Sequence, residues 1–582
     1  MNIQKTYLLI LALLLAVVSC DVLDEQVLDE SLTGSGDAEL VSGAIAPAYG
    51  QMGNTWLHTR YFGLQEIASD EAILPYRGGT DWFDGGKFIE VHRHLPTSGN
   101  GLVRDSWNEV TKNISRTVAA IEVLREASAN GNQEATAALH EMVAMRAWLN
   151  MMMLDSWGLV FQKETTSETS TILRGQDAID YIQSELESVV NVIGKNNGPG
   201  RITQGAVWGF LSRLHLNAAV YRDPYGTPNF TTADMNKVIE YTDNIINSGE
   251  YDLSSEYFDL FNDSNYNNPE VIFSADQRGL LRDDQNRWAY WSLAGSLFPR
   301  PEYPGADGTD GPGATPDFYQ HWVDAYGNED PAEADARFYK QETMVPAELV
   351  NLDGVSPSND ENHFYCVADL DFEIDKGMLR GVIWGPRKGN DGNFLRCDNG
   401  DVRIYPVIQR KGNGPDRDTG YVNHTLQVDF SNEGRLHNTG YRFSKYQCSR
   451  TSNNCNRFSS TDLVFMRLGE IYLNRAEAKL RSGDAAGALA DVNTLRASRD
   501  ARPAQTPPAL ASLSIDELFR ERGFELYWEG QRRSDQIRFG RYEDSWTEKT
   551  STDVTKRLFP IPQSAIDAAS NEQNYLVQNQ GY

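Results

Sequence analysis

The chain has 582 residues, 40% of them apolar and 10% aromatic, with 53 Lys and Arg against 82 Asp and Glu and a formal net charge of −29. That charge repels phosphate backbones and anionic membrane surfaces, which argues against nucleic acid as a partner; it is compatible with a neutral ligand such as an uncharged sugar. The apolar content is ample for a sizeable core and no long low-complexity segment divides the chain, so one large body with inserted loops is expected.

Residues 7–18 form an unbroken apolar run after Lys5. The run is shorter than the roughly 20 apolar residues of a transmembrane helix, and it fits the apolar region of a secretory signal. It ends in Val17-Val18-Ser19-Cys20, the pattern of a bacterial lipobox. Residues 1–19 are therefore read as a lipoprotein signal peptide, with the Cys20 thiol as the lipidation site and 20–582 as an ectodomain held to the membrane by lipid. Loss of Lys5 with the signal leaves a net charge of about −30.

The spacing predicts a helix over 106–127, where Trp107, Val110, Ile114, Val118, Ile121 and Leu124 recur at three- or four-residue steps. Further helices are expected over 134–157, 177–193, 204–221 and 232–248, the last with a Thr cap. His92 and His94 alternate as side chains on one strand face would, with no third metal ligand apparent. From 251 to 458 the character changes to Gly, Pro, Asn and Asp with short aromatic runs, and strands are expected at 270–274 and 402–409. Alternating carboxylates at Asp369, Asp371, Glu373 and Asp375 invite a calcium reading. The segment lacks the glycine of an EF-hand loop, however, and alternation also suits a solvated strand.

Helices resume at 461, with Phe465, Leu468, Tyr472, Ala476 and Leu480 on one face; 485–498 is the partner helix and 515–528 a further one, opened by the capping pattern Ser514-x-x-Glu517. Leu468, Gly469 and Tyr472 match the L-G-x-x-Y part of the tetratricopeptide helix-pair pattern. The fold class is thus mostly α: a tetratricopeptide-like helix-pair frame, at about 36–250 and 459–582, carrying a large irregular loop-rich insertion at about 251–458 with a few short strands.

Cys366, Cys397, Cys448 and Cys455 are an even set in an exported chain, which points to disulfides. Cys448 and Cys455 enclose a short polar loop that gains from a staple, leaving Cys366 with Cys397, although three pairings are open. Zinc is disfavoured because no CxxC spacing occurs. No HExxH, GxSxG, P-loop or dinucleotide fingerprint is present, and paired carboxylates are uninformative among so many acidic residues. No cofactor, metal or catalysis is expected.

In order along the chain stand RAW at 146–148, DSWG at 155–158, NPEVIF at 268–273, FMRLGEIYLNRAEA at 465–478, LFRERGFELYWEGQRR at 518–533 and LFPIP at 558–562. This ordered set, behind a lipobox, resembles the SusD/RagB family over nearly the whole mature chain. The resemblance implies an outer-membrane lipoprotein at the cell surface that captures an oligosaccharide or polysaccharide. It also implies delivery to a partner SusC-like TonB-dependent transporter, with no chemistry on the ligand.

Sugar rings present an apolar C–H face to indole and phenol rings and a hydroxyl edge to Asp, Asn, Gln and Arg. Two loop clusters qualify as candidate ligand contacts: Asp81 with Trp82, and Trp56 upstream; and Arg287, Trp288, Tyr290 and Trp291, followed by Phe298, Tyr303 and Trp322. Peptide or glycoprotein cargo and a pure protein-interaction scaffold are the rival functions.

Overall fold

Helix pairs carry the fold, and local capping explains where they start. In the computed structural model the described residues are 37–75, 82–277, 287–295, 297, 308–368, 371–410, 414–430, 439–449, 452, 455, 459–572 and 574–582. The expected signal peptide, Cys20, Asp81, Phe298, Tyr303 and Asp369 lie outside them. Among the described residues no helix is long and apolar enough to cross a membrane.

Helix α1 (Asp37–Thr55) packs on α4 (Gly101–Ala129), and between them come the short helices α2 (Tyr61–Ile67) and α3 (Lys87–His92). The Asn100 side chain caps α4 by accepting from Leu102 N and Val103 N, so the helix begins before the first Trp107-centred repeat that the periodicity reveals. α5 (Gln133–Trp157), capped by Asn132 and closed by Gly158 at φ 68°, pairs with α4. Contacts then pass through α6 (Gly175–Val189), α7 (Gln204–Arg222) and α8 (Thr232–Ser248) to α11 (Leu468–Arg481), which pairs with α12 (Ala485–Ser498) and packs on α13 (Ile515–Leu526). Ser514 and Glu517 form the expected capping box of α13.

The helix expected to resume at 461 begins later. Leu463–Arg467 is a strand, antiparallel to Val271–Ala275 with Leu463 opposite Ala275 and Arg467 opposite Val271, and α11 follows it directly. Four apolar residues and then Arg467, all buried, have no period that separates strand from helix; the partner strand decided it. His92 and His94 share no strand. His92 ends α3, with its ring nitrogens on Ile67 O and Thr547 O, and His94 adopts φ 57° and stacks 4.1 Å from Tyr542. Both are buried core histidines.

The insertion contains several small antiparallel sheets. Val402–Pro406 runs between Trp384–Pro386 and Tyr365–Val367, and a separate core gathers Leu293, Phe372, Trp384, Val402 and Ile404. Cys366 is bonded to Cys397, and Cys448 to Cys455 across a Cα separation of 5.0 Å. Asp375 accepts from Glu342 N, Thr343 N and Tyr339 Oη, which spends its oxygens on fixing a turn.

Frame and insertion meet at a buried ion network. Arg467 reaches Glu270 at 2.9 Å, Glu525 at 2.6 Å and Glu529 at 2.8 Å. Arg499 bridges Glu270 and Glu525, Arg337 bridges Asp335, Glu521 and Glu525, Arg496 joins Glu521, and Lys445 joins Glu529. Five cations thus face five carboxylates with no net charge, at the junctions of Val271–Ala275, Leu463–Arg467, α12, α13 and the insertion. Removing one partner leaves an uncompensated buried charge. Glu525→Gln is expected to lower stability by about 3–5 kcal/mol, read from the urea unfolding midpoint. A loss below about 1 kcal/mol, the size of a surface pair, would show that the network does not hold these elements together.

Candidate functional site

The residues that reach the surface near the two aromatic clusters are set by one turn of helix. In α9 (Trp288–Ser292) positions 288 and 291 lie on one side and 290 on the other, with Arg287 at the N-cap. Trp288 and Trp291 turn inward and are fully buried. Trp288 stacks on Phe62 at 3.7 Å and 14°, and its Nε1 donates to Trp56 O at 3.0 Å. Trp291 sits 5.8 Å from Trp528, which in turn stacks on Phe443 at 4.5 Å. These residues are core, not ligand contacts, and the same correction applies to Trp56 and Trp322. Trp56 is buried against Trp148 and Phe465, and Trp322, on α10 (Pro316–Tyr326), is buried and stacks on Phe524 at 3.9 Å.

Tyr290 and Arg287 remain half-buried on the outer side of α9, with the Arg287 guanidinium 5.7 Å from the Tyr290 ring centre and the Cys448–Cys455 disulfide packed against Tyr290. The strap at 308–311 lies back on α9: Gly308 N donates to Ala294 O, Thr309 N to Tyr290 O and Gly311 N to Trp291 O. A Cβ on Gly308 would come within 2.1 Å of Leu293 O and one on Gly311 within 2.3 Å of Trp291 O, so the close approach requires glycine at both.

Trp82 joins this face through the strap. Its Nε1 donates to Thr309 O at 3.0 Å, and its ring stands edge-on to His58 at 5.1 Å and Trp291 at 6.0 Å. Its backbone adopts φ 58°, an unusual conformation for a bulky residue, of the kind that concentrates at binding and switch sites. Phe83 next to it is 39% exposed. The result is a face with two neighbouring aromatics, Trp82 and Phe83, and a cation over a third, Tyr290. The sequence pointed to Trp82, Tyr290 and Arg287. Phe83 was legible only as a neighbour of Trp82, and Thr309 and His58 carry no local signal because their roles come from contacts across the fold.

Electrostatics beneath the face are unusual. Burial, and then the charges of Arg287, Arg60 and Lys87, push the His58 imidazole well below its ordinary value, so it is neutral. Two adjoining carboxyls, Glu66 and Glu71, are buried together. Glu66 Oε1 accepts from Gly530 N and Glu71 Oε1 from Trp528 N, which fixes Trp528 at φ 59°. Burial pushes Glu66 up to about 7, and burial with the neighbouring Glu66 charge pushes Glu71 well up, so the pair retains a proton near neutrality.

Comparison with known proteins identifies relatives along most of the chain. The family model described as the SusD family matches residues 222–582. The starch-binding protein SusD of Bacteroides thetaiotaomicron is 26% identical over 460 residues, spanning 76% of this chain and 72% of the relative. Among solved structures, a SusD-like protein from Bacteroides fragilis superposes with a TM-score of 0.60 at 18% identity, covering 93% of this chain and 96% of that one. Surface glycan-binding protein A from Bacteroides thetaiotaomicron, in complex with laminarihexaose, superposes with a TM-score of 0.59 at 16% identity, covering 93% and 99%.

Two outcomes follow from this geometry. Trp288→Ala is expected to cost about 3–5 kcal/mol, as a large buried aromatic does, whereas Phe83→Ala stays within about 0.5 kcal/mol; thermal or urea unfolding of both variants checks the assignment of core and surface. A carboxyl with a raised native value contributes its full stability below its ordinary value of 4.5 and loses it as pH rises towards about 7. Stability should therefore fall between these values, and Glu66→Gln should flatten that fall. An unchanged slope in urea titrations across the window would mean that the pair ionises in the native state as it does in the unfolded chain.

Proposed function

Because this chain belongs to the SusD family, we propose that it is a non-catalytic glycan-capture protein that binds an oligosaccharide or polysaccharide on the Trp82 face. In this reading it is lipidated at Cys20, stands on the outer membrane facing the cell exterior, and passes its ligand to a SusC-like TonB-dependent transporter.

The observation that carries the reading is the fixing of Trp82. A large ring is held at a left-handed backbone by its own Nε1 bond to Thr309, beside exposed Phe83 and on the strap that also binds Tyr290. Amphipathic rings in a pre-set orientation suit the C–H faces of sugars, because little freedom is lost on binding. The Arg287 guanidinium beside them supplies hydroxyl donors. The relative named for starch and the structure holding laminarihexaose support a carbohydrate ligand. The net charge of −29 favours a neutral polymer over a polyanionic one.

Affinity electrophoresis of the full chain in gels containing starch, laminarin, xylan or mannan tests the proposal. One polymer class should retard the protein. Trp82→Ala and Phe83→Ala should each weaken that retardation by about tenfold, about 1.4 kcal/mol, while Val123→Ala, on the exposed side of α4, leaves it unchanged. Absence of retardation by every polymer would reject glycan capture in favour of peptide cargo or a scaffold role.

A further inference from the structure

The described residues form a second cleft that shares none of the side chains of the Trp82 face. It lies between α10, α13 and the loop at 541–546, with a volume of about 410 Å³, within the range of about 300–1,000 Å³ that small-molecule sites occupy. α10 turns Asp317, Gln320, His321 and Asp324 towards it, the i, i+3, i+4, i+7 set of one helix face. Opposite stand Asp516, Phe519 and Arg520 of α13.

Much of this polar lining is already engaged, and the remainder defines the ligand. Asp70 is held by Arg532 at 2.7 and 2.8 Å and by His321 Nε2 at 3.2 Å. Asp317 Oδ2 accepts from Thr547 N and Oγ1, and Asp516 and Asp544 pair with Arg541. Asp324 Oδ1 takes the Gln320 amide at 2.7 Å, leaving its other oxygen as an acceptor. Gln536, on α14 (Arg532–Arg538), is 99% buried. Its Oε1 accepts from Asp70 N, and its –NH2 has no partner among the described residues. Arg520 likewise has no ion pair or hydrogen bond among the described residues, although it stands among carboxylates. Buried Phe519 and Trp546 supply the apolar wall.

A metal or amine would use only acceptors, and an anion only donors. Here unspent acceptors and donors stand together beside aromatic carbon, which is what a polyhydroxylated molecule satisfies, since each hydroxyl both donates and accepts. We propose that this cleft is a separate carbohydrate subsite, sized for one or two neutral hexose units, with Asp324 accepting from and Arg520 and Gln536 donating to the hydroxyls. Its lining shares no side chain with the Trp82 face, so its occupation is tested separately from that of the face.

Saturation-transfer NMR on the full chain with glucose, mannose, galactose and maltose, with spermidine and inorganic phosphate as cation and anion comparators, tests the inference. At least one sugar should bind the wild type and the Trp82→Ala variant alike. The double variant Asp324→Asn/Arg520→Gln, at one exposed and one partly exposed position, should weaken that sugar by at least about fivefold with an unchanged thermal midpoint and unchanged polysaccharide retardation. Sugar binding that disappears with Trp82 and survives the double variant would overturn the subsite while leaving glycan capture standing. Absence of signal for all four sugars, or displacement of the sugar by spermidine or phosphate at the same residues, would also overturn it.

Discussion

Five buried cations and five buried carboxylates hold the frame and the insertion in one arrangement. Arg467 stands at the point where the strand Leu463–Arg467 becomes α11, and it contacts glutamates from before Val271–Ala275, from α13 and from the turn after α13. Desolvating so many charges is costly, and each is compensated only when all the elements are in place. The network therefore acts less as a source of net stability than as a condition of register. The α13 helix must present Glu521 and Glu525 to Arg337 of the insertion and to Arg499 at the end of α12 simultaneously.

Register at that junction is transmitted to the outer face. The turn after α13 carries Trp528 and Glu529: Glu529 belongs to the ion network, and Trp528 packs against Trp291 and donates from Nε1 to Trp288 O. Trp528 N is bound by Glu71, one of the two carboxyls that share a proton. A short helix of five residues has little stability of its own. α9 is set instead by this aromatic nest below and the glycine-bearing strap above, and α9 and the strap together set Trp82, Tyr290 and Arg287.

The two candidate ligand regions use different physics. The Trp82 face is aromatic and open, suited to stacking along an extended polymer. The cleft beside α10 is walled and polar, with donors and acceptors left over after its internal pairs are made, and its volume of about 410 Å³ suits a small unit. Asp70 and Glu71 are adjacent in the chain, yet one is ion-paired at the cleft and the other proton-sharing beneath the aromatic nest. Environment, not residue type, separates their roles.

The helix pairs, the Thr-capped start of α8, the capping box at Ser514 and the membership of the SusD family were legible in the sequence, because these depend on local spacing and on ordered motifs; the Asn100 cap of α4 was not, since it precedes the first periodic residue. It also singled out the region of the aromatic face. Which aromatics face outward depends on contacts across the folded chain. Trp288, Tyr290 and Trp291 are equivalent as a string of rings; a helical turn places 288 and 291 on one side and 290 on the other, and the nest of Phe62 and Trp528 decides which side is buried. The strand at 463–467 and the cleft at α10 were likewise invisible, since a buried apolar run has no distinguishing period and the cleft is assembled from segments nearly 500 residues apart. Periodicity reports which residues share an element; which elements share a face is set by long-range burial and charge compensation, and those exist only in the folded chain.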